Sequence, residues 1–287
     1  MARDYLTKLL DLYWFAPPVA LWRAVELRAV AEEEYEAPLL DLGCGDGLVA
    51  QTLFGAEGQV DVGLDRWMEQ LRRAAQSGAY RHVDLAEGHC LPYADSAFVT
   101  VMSNSVLEHI PDVLPVLREV RRVLRCPEPA AGMPGGQFIF TVPSDAFRYM
   151  LDGYIRRKEA GDIRGAEAYA ASVDRRLEHH HYYMPGDWRA LLAAAGMEMV
   201  RSRYYMPEKV QRLWDRMNGR FGVGKRLSVW GLLVSRRLRF LGHQDGLRRI
   251  AVRSLSRRWR PYCEMDVSPG EKGGGLLIVA RRKVQWY

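Results

Sequence analysis

The sequence predicts an α/β protein, and three observations predict it. Short apolar runs of strand length recur along the chain, helical patterns stand between them, and the first run stops at a glycine-rich turn. Strands separated by helices imply βαβ units and a parallel sheet.

Residues 1–36 read as helical. Leu6, Leu9, Leu10 and Tyr13 hold helical spacing, as do Val19, Trp22, Val25, Ala29 and Val30 beyond Pro17 and Pro18, and Glu32 to Glu34 close the segment. Strand 39–42 then runs into the glycine turn 43–47 and a helical stretch through Leu53. Further strands are expected at 60–64, 80–85, 97–102 and 137–142, with helices around 68–75 and 114–124. Residues 144–187 are polar, rich in Arg, His and Tyr, and give no strand. A short amphipathic helix over 188–195 ends at Gly196, well placed as its cap. Strands at 197–205 and 275–282 complete a set of seven and bracket residues 206–262 as an insertion. The organisation expected is a helical cap over 1–36 and one domain over 37–287, with 144–187 on the substrate side.

Composition bounds the function. The chain has 287 residues, 48% hydrophobic and 26% charged, which excludes disordered, collagen-like and coiled-coil classes. Four scattered cysteines (Cys44, Cys90, Cys126, Cys263) suit neither a disulfide scaffold nor a CxxC zinc site, so reduced thiols in a cytoplasm are expected. No secretory signal is read at the N-terminus, and no run approaches the ~18 apolar residues of a membrane span. A soluble protein, or one lying on a membrane surface, is expected. The net charge of +6 is uneven: residues 206–262 hold 15 Lys/Arg against 3 Asp/Glu, and the remainder is mildly acidic.

The chemistry begins at LLDLGCGDG, residues 39–47. Glycines let the backbone approach a ligand, and the helix that follows offers free N–H groups to an anion. The dinucleotide fingerprint GxGxxG fails here, because the third glycine falls at Gly47 and Leu48 takes the next place; a nicotinamide oxidoreductase is disfavoured. The run instead resembles the first motif of class I S-adenosylmethionine-dependent methyltransferases, (D/E)xGxGxG. VGLD (62–65) resembles that family's second strand, whose closing acid, here Asp65, accepts from both ribose hydroxyls. AEGHCLPYADSAF (86–98) resembles GDAxxLPFxDxSFD, with Glu87 where an adenine-recognising Asp is usual and Val99 in place of a further Asp. VMSNSVLEHI (101–110) resembles the fourth strand and the loop beside the methyl donor, and residues 118–143 resemble the stretch leading into strand five. The resemblance is good over 38–142 and loose over 188–206.

The resemblance implies a Rossmann-like seven-stranded sheet of order 3-2-1-4-5-7-6, its last strand antiparallel, with helices on both faces. It also implies an N-terminal helical lid and S-adenosylmethionine as cofactor. The residues it implies for the cofactor are Asp41, Gly43, Cys44, Gly45, Gly47, Asp65, Arg66, Trp67, Glu87, Gly88 and Asn104, with Arg66 and Trp67 flanking the adenine. Tyr13, Trp14 and Phe15 belong to the lid or to the core.

Methyl transfer from a sulfonium needs the acceptor held in line with the methyl group, and a base where the acceptor is protonated. His109, His179 and His181 are the candidate catalytic residues, because imidazole titrates near neutrality. No metal is expected: on a strand only His179 and His181 of the histidine run share a face, and no third ligand is evident.

Within 225–242, Leu227, Trp230, Val234, Leu238 and Leu241 share one helical face, and Leu247, Ala251, Leu255 and Trp259 continue it among arginines. A basic amphipathic helix of this kind suits an anionic membrane surface over 225–260, or a lid over the acceptor. Nucleic acid is not expected, since no RNA-binding module is present. The reading is methyl transfer to a small-molecule acceptor, hydrophobic or lipid-linked. A catalytically silent S-adenosylmethionine-binding protein and an RNA methyltransferase are the alternatives.

Overall fold

The computed structural model describes residues 4–55, 60–221, 230 and 244–283. The chain divides into a sheet unit (30–145, 177–204 and 275–287) and a helical unit (1–29, 146–176 and 205–274).

The sheet unit holds seven strands: β1 (Leu39–Leu42), β2 (Val60–Asp65), β3 (Tyr80–Leu85), β4 (Thr100–Asn104), β5 (Gln137–Pro143), β6 (Met197–Tyr205) and β7 (Gly275–Arg282). Their order is β3-β2-β1-β4-β5-β7-β6. The first five pair in parallel, and β7 runs antiparallel to β5 from Gln137↔Arg281 to Pro143↔Gly275. Order and reversed strand match expectation. The fourth strand begins later than its apolar run, because Val99 and Phe98 are held by other partners: Val99 donates to Pro38 O, and Phe98 bridges to Leu124.

Period-two alternation sorts the core into two layers. Leu40 and Leu42 of β1, Val101 of β4 and Phe138, Phe140 and Val142 of β5 pack with α5 (Leu114–Val123) and α8 (Pro185–Ala194) through Val116, Leu117, Val120, Trp188 and Leu192. Leu39 and Met102 belong to the other layer with Ala50 of α3 (Leu48–Phe54) and Leu71 and Ala74 of α4 (Met68–Ser77). Gly196 follows α8 at φ +81, the left-handed stop expected of it. β6 is an exposed edge, and its Arg201 and Arg203 pair with Glu33 and Glu32. Charges there suit an edge strand, since they discourage pairing with another chain.

The helical unit contains α1 (Tyr5–Leu12), most of α2 (Pro17–Val30) and α7 (Ile163–Leu177), with α6 (Asp152–Glu159), α9 (Glu208–Phe221) and α10 (Gln244–Cys263). Asp4 caps α1 by accepting from Thr7 N and Oγ1 at 3.0 and 2.8 Å. Its aromatic core places Trp22 against Phe147, Tyr205 and Trp214. Asp215, on α9, accepts from Gly153 N at 2.9 Å and from the Tyr169 hydroxyl. The expectation of a merely polar stretch over 144–187 misses α6 and α7; α7 buries Ala166, Ala170 and Val173, a stripe of small residues with little hydrophobic signal.

α10 packs on α1, where Arg248 pairs with Asp11 and Arg260 reaches Asp4 at 2.5 Å. Trp259 and Cys263 are buried. Trp230 donates to Phe15 O at 3.0 Å and meets Trp14 edge-on. The rest of the helical face read at 225–242 lies outside the described residues. No described helix is long and apolar enough to cross a membrane.

Candidate active site

The glycine turn sits where β1 ends, and its three glycines do different work. All three have positive φ: +77 at Gly43, +55 at Gly45 and +79 at Gly47. A Cβ on Gly43 would meet Val106 at 2.5 Å, and one on Gly47 would meet Ser77 Oγ at 2.7 Å. These two are packing glycines. Among the described residues a Cβ on Gly45 would meet nothing within 4 Å, so the turn presents open space there.

Backbone hydrogen bonds hold the turn against the end of β2. Gly43 N and Cys44 N both donate to Leu64 O, at 2.8 and 2.9 Å. Asp65 accepts from Gly45 N through Oδ2 and from Trp67 N through Oδ1, each at 2.9 Å. An ionised carboxylate has about four acceptor sites, so two remain for ligand hydroxyls. Asp41, 3% exposed, points into the sheet and accepts from the Tyr80 hydroxyl at 2.7 Å. Burial, with Asp41 and Asp65 nearby, pushes the Cys44 thiol far up, so it stays protonated.

Beyond β2, Arg66 lies 3.5 Å from Glu87 and 5.0 Å from the Trp67 ring centre. Trp67 is 61% exposed, an apolar plate left in solvent. The loop after Gly88 is clamped by two residues that sequence reasoning did not single out. Glu119 accepts from Leu91 N at 2.8 Å, and Arg122 donates to Leu91 O, Tyr93 O, Asp95 and Glu119. The only signal for them is the opposite charge at i and i+3 on α5.

Asn104 closes β4. Its side-chain Nδ2 is buried with no hydrogen-bond partner among the described residues. Ser105 then turns the chain at φ +53, its N–H donating to Thr141 O at 3.0 Å.

The short 3-10 turn Leu107–His109 follows, and the histidine run docks beside it. His180 N donates to Glu108 O at 2.9 Å. His109 and His179 come together, their ring centres 5.3 Å apart. His109 Nδ1 lies 3.1 Å from Glu178 O, and His179 Nδ1 lies 3.0 Å from the Tyr182 hydroxyl. Burial first, then the neighbouring imidazoles, pushes His179 down to about 3. His181 turns elsewhere: it stacks on Tyr183, and its Nε2 faces Ile110 O at 3.1 Å. A carbonyl only accepts, so that nitrogen carries the proton. Burial lowers the pKa of His181 as well. The run is a loop, which is why strand alternation does not describe it.

Residues 40–139 match a family model described as a methyltransferase domain. The chain carries a class I S-adenosylmethionine-dependent methyltransferase domain. It is 34% identical over 114 residues to the 27-O-demethylrifamycin SV methyltransferase of Amycolatopsis mediterranei, covering 38% of this chain and 40% of that one. It is 26% identical over 202 residues to the ubiquinone biosynthesis O-methyltransferase of Aeromonas salmonicida, covering 67% and 72%. A solved methyltransferase from Thermotoga maritima superposes with a TM-score of 0.55 at 13% identity over 97% of this chain and 100% of that one, a likeness of fold. The chain spans between 34% and 51% of the length of four curated relatives that it matches.

S-adenosylmethionine is the cofactor of this methyltransferase domain, and the residues present fit it. The fit rests on open space at Gly45, spare acceptor capacity on the largely buried Asp65, and the orphan amide of Asn104.

Proposed function

We propose that the whole protein transfers the methyl group of S-adenosylmethionine to an oxygen of a hydrophobic small molecule, lipid-linked in the fullest form of this reading. The observation that carries it is the join of Gly45 to Asp65, which brings an open glycine after β1 and a carboxylate with spare acceptor capacity at the end of β2 together at adjacent strand ends. In this reading Asp65 takes the ribose hydroxyls. Arg66, Trp67 and Glu87 border the base, and Asn104 donates its free amide N–H to the cofactor. His109, His179 and His181 stand on the acceptor side. Bound there, the cofactor would supply an activated methyl group: the acceptor hydroxyl's oxygen would take the methyl as the C–S bond gives its pair to sulfur, and the hydroxyl proton would pass to solvent water. Acting on oxygen is what two relatives' names state of those relatives.

A lipid-linked acceptor draws support from α10. Arg249, Arg253 and Arg257 are exposed at helical spacing along the open groove that α10 forms with Thr7 and Asp11 of α1, and Ile250 is 71% exposed. Cations with an apolar neighbour suit an anionic bilayer surface.

The test is transfer of label from methyl-labelled S-adenosylmethionine by the purified full chain to a panel of hydrophobic phenols and quinols, with total RNA as a separate arm. Labelled phenol or quinol is expected. Cofactor binding with no labelled product would leave a silent binding protein, and labelled RNA would replace the small-molecule reading.

A further inference from the structure

We propose that Glu108, His109 and His179 form a site for a divalent cation of the zinc class. Resting on the reading of this region as the acceptor side, the inference gives the ion the task of holding and ionising the acceptor hydroxyl.

One ligand atom from each of the three residues lies within 4.8 Å of the others. Donors on one tetrahedral zinc ion stand roughly 3.3 Å apart, so small side-chain rotations close the set. Two nitrogens and one oxygen are a donor set for zinc and its first-row neighbours, whereas magnesium prefers oxygen alone.

The surroundings are those a metal ligand needs. His109 Nδ1 faces the Glu178 carbonyl at 3.1 Å, which fixes the proton on that nitrogen. Nε2 is then the lone-pair nitrogen, and it lies 4.0 Å from Glu108 Oε1. His179 Nδ1 has the Tyr182 hydroxyl 3.0 Å away, and when that hydroxyl accepts, Nε2 is the nitrogen left for the ion. Glu108 is 2% exposed, and a carboxylate so buried is stabilised by a cation beside it. The two ligand-bearing segments are stitched together by His180 N donating to Glu108 O, so the set is assembled by the backbone.

The site also has an opening. His109 is exposed, and three protein ligands leave a position for an exchangeable oxygen. Glu108 follows Asn104 by four residues, so the cation stands by the chain segment where the fourth strand ends. An acceptor hydroxyl on the ion loses its proton to solvent water more readily, and the resulting metal-bound oxygen anion is the nucleophile. The metal neither gains nor loses electrons.

The experiment is titration of the chelator-treated full chain with Co2+ and Zn2+, followed by visible absorption and calorimetry, with Mg2+ for comparison. One equivalent of Co2+ with intense low-coordinate bands, displaced by Zn2+ and not by Mg2+, is expected. Glu108→Gln, and His109→Ala with His179→Ala, should weaken binding at least ~10-fold, while His82→Ala, an exposed histidine of β3, leaves it unchanged. Retained cofactor affinity and an unchanged thermal melt show that the variants fold. No stoichiometric Co2+, or equal affinity in the double histidine variant, overturns the site. Cation binding is read without methyl transfer, so a bound ion with no labelled product would count against the acceptor reading alone.

Discussion

The Tyr80 hydroxyl donates to Asp41 across the intervening strand, and Gly63 is what lets it pass. Tyr80 stands on β3 and Asp41 on β1, with β2 between them. A Cβ on Gly63 would lie 2.8 Å from the Tyr80 ring. The acid of the glycine motif is thus a tethered group inside the sheet. Tyr80→Phe should cost ~1.5–3 kcal/mol, because a buried carboxylate loses a donor. Gly63→Ala should destabilise through the ring contact. Urea unfolding reads both, and an unchanged midpoint in Tyr80→Phe would show that the tether is idle.

Asp65→Ala should weaken S-adenosylmethionine binding by ~2–4 kcal/mol, since two ribose hydroxyls lose a charged acceptor. Calorimetry on the folded variant checks this. Unchanged affinity would remove Asp65 from the cofactor site.

Gly43 and Gly45 should separate under the same substitution. Gly43→Ala forces a methyl group onto Val106 and should lower the melting temperature. Gly45→Ala meets only the left-handed penalty of ~1–2 kcal/mol, yet it fills the open space and should sharply reduce cofactor affinity. A Gly45→Ala protein that binds normally would place the cofactor elsewhere.

Arg122→Met should cost ~2–3 kcal/mol, because two backbone carbonyls and two carboxylates lose a charged donor. Hydrogen exchange should quicken at Leu91 and leave α10 unaffected. Exchange unchanged at Leu91 would show that the clamp contributes nothing.

On α10, reversing Arg249, Arg253 and Arg257 to Glu should release the protein from vesicles of acidic lipid. Arg248 and Arg260 are unsuitable probes, being occupied by Asp11 and Asp4. Wild-type binding should fall as salt rises, since each cation contributes only ~1 kcal/mol near the surface. Equal recovery in the supernatant with and without acidic vesicles would sink the membrane reading.

What the sequence discloses follows from how local each signal is. Strands β1 and β7 lie where their apolar runs stand, because a buried strand needs little beyond that run, and β3 and β6 keep their expected bounds although most of their side chains are not buried. The glycine turn and Asp65 are equally legible, being adjacent to strand ends. The separate duties of Gly43, Gly45 and Gly47 are not, since they depend on Val106 and Ser77, which are remote in sequence. The meeting of Glu108, His109 and His179 is hidden for the same reason: a loop brings them together. Alanine-striped α7 escapes because small residues leave a faint periodic signal.

The two units are braided through the chain. It passes from one to the other at 29/30, 145/146, 176/177, 204/205 and 274/275. Neither unit is therefore a contiguous length of polypeptide. During synthesis the helical unit lacks material until residue 274 has emerged, and the sheet lacks its reversed strand until after that. Neither unit can be completed before nearly the whole chain is made, which lengthens the period in which incomplete units offer apolar surface to chaperones.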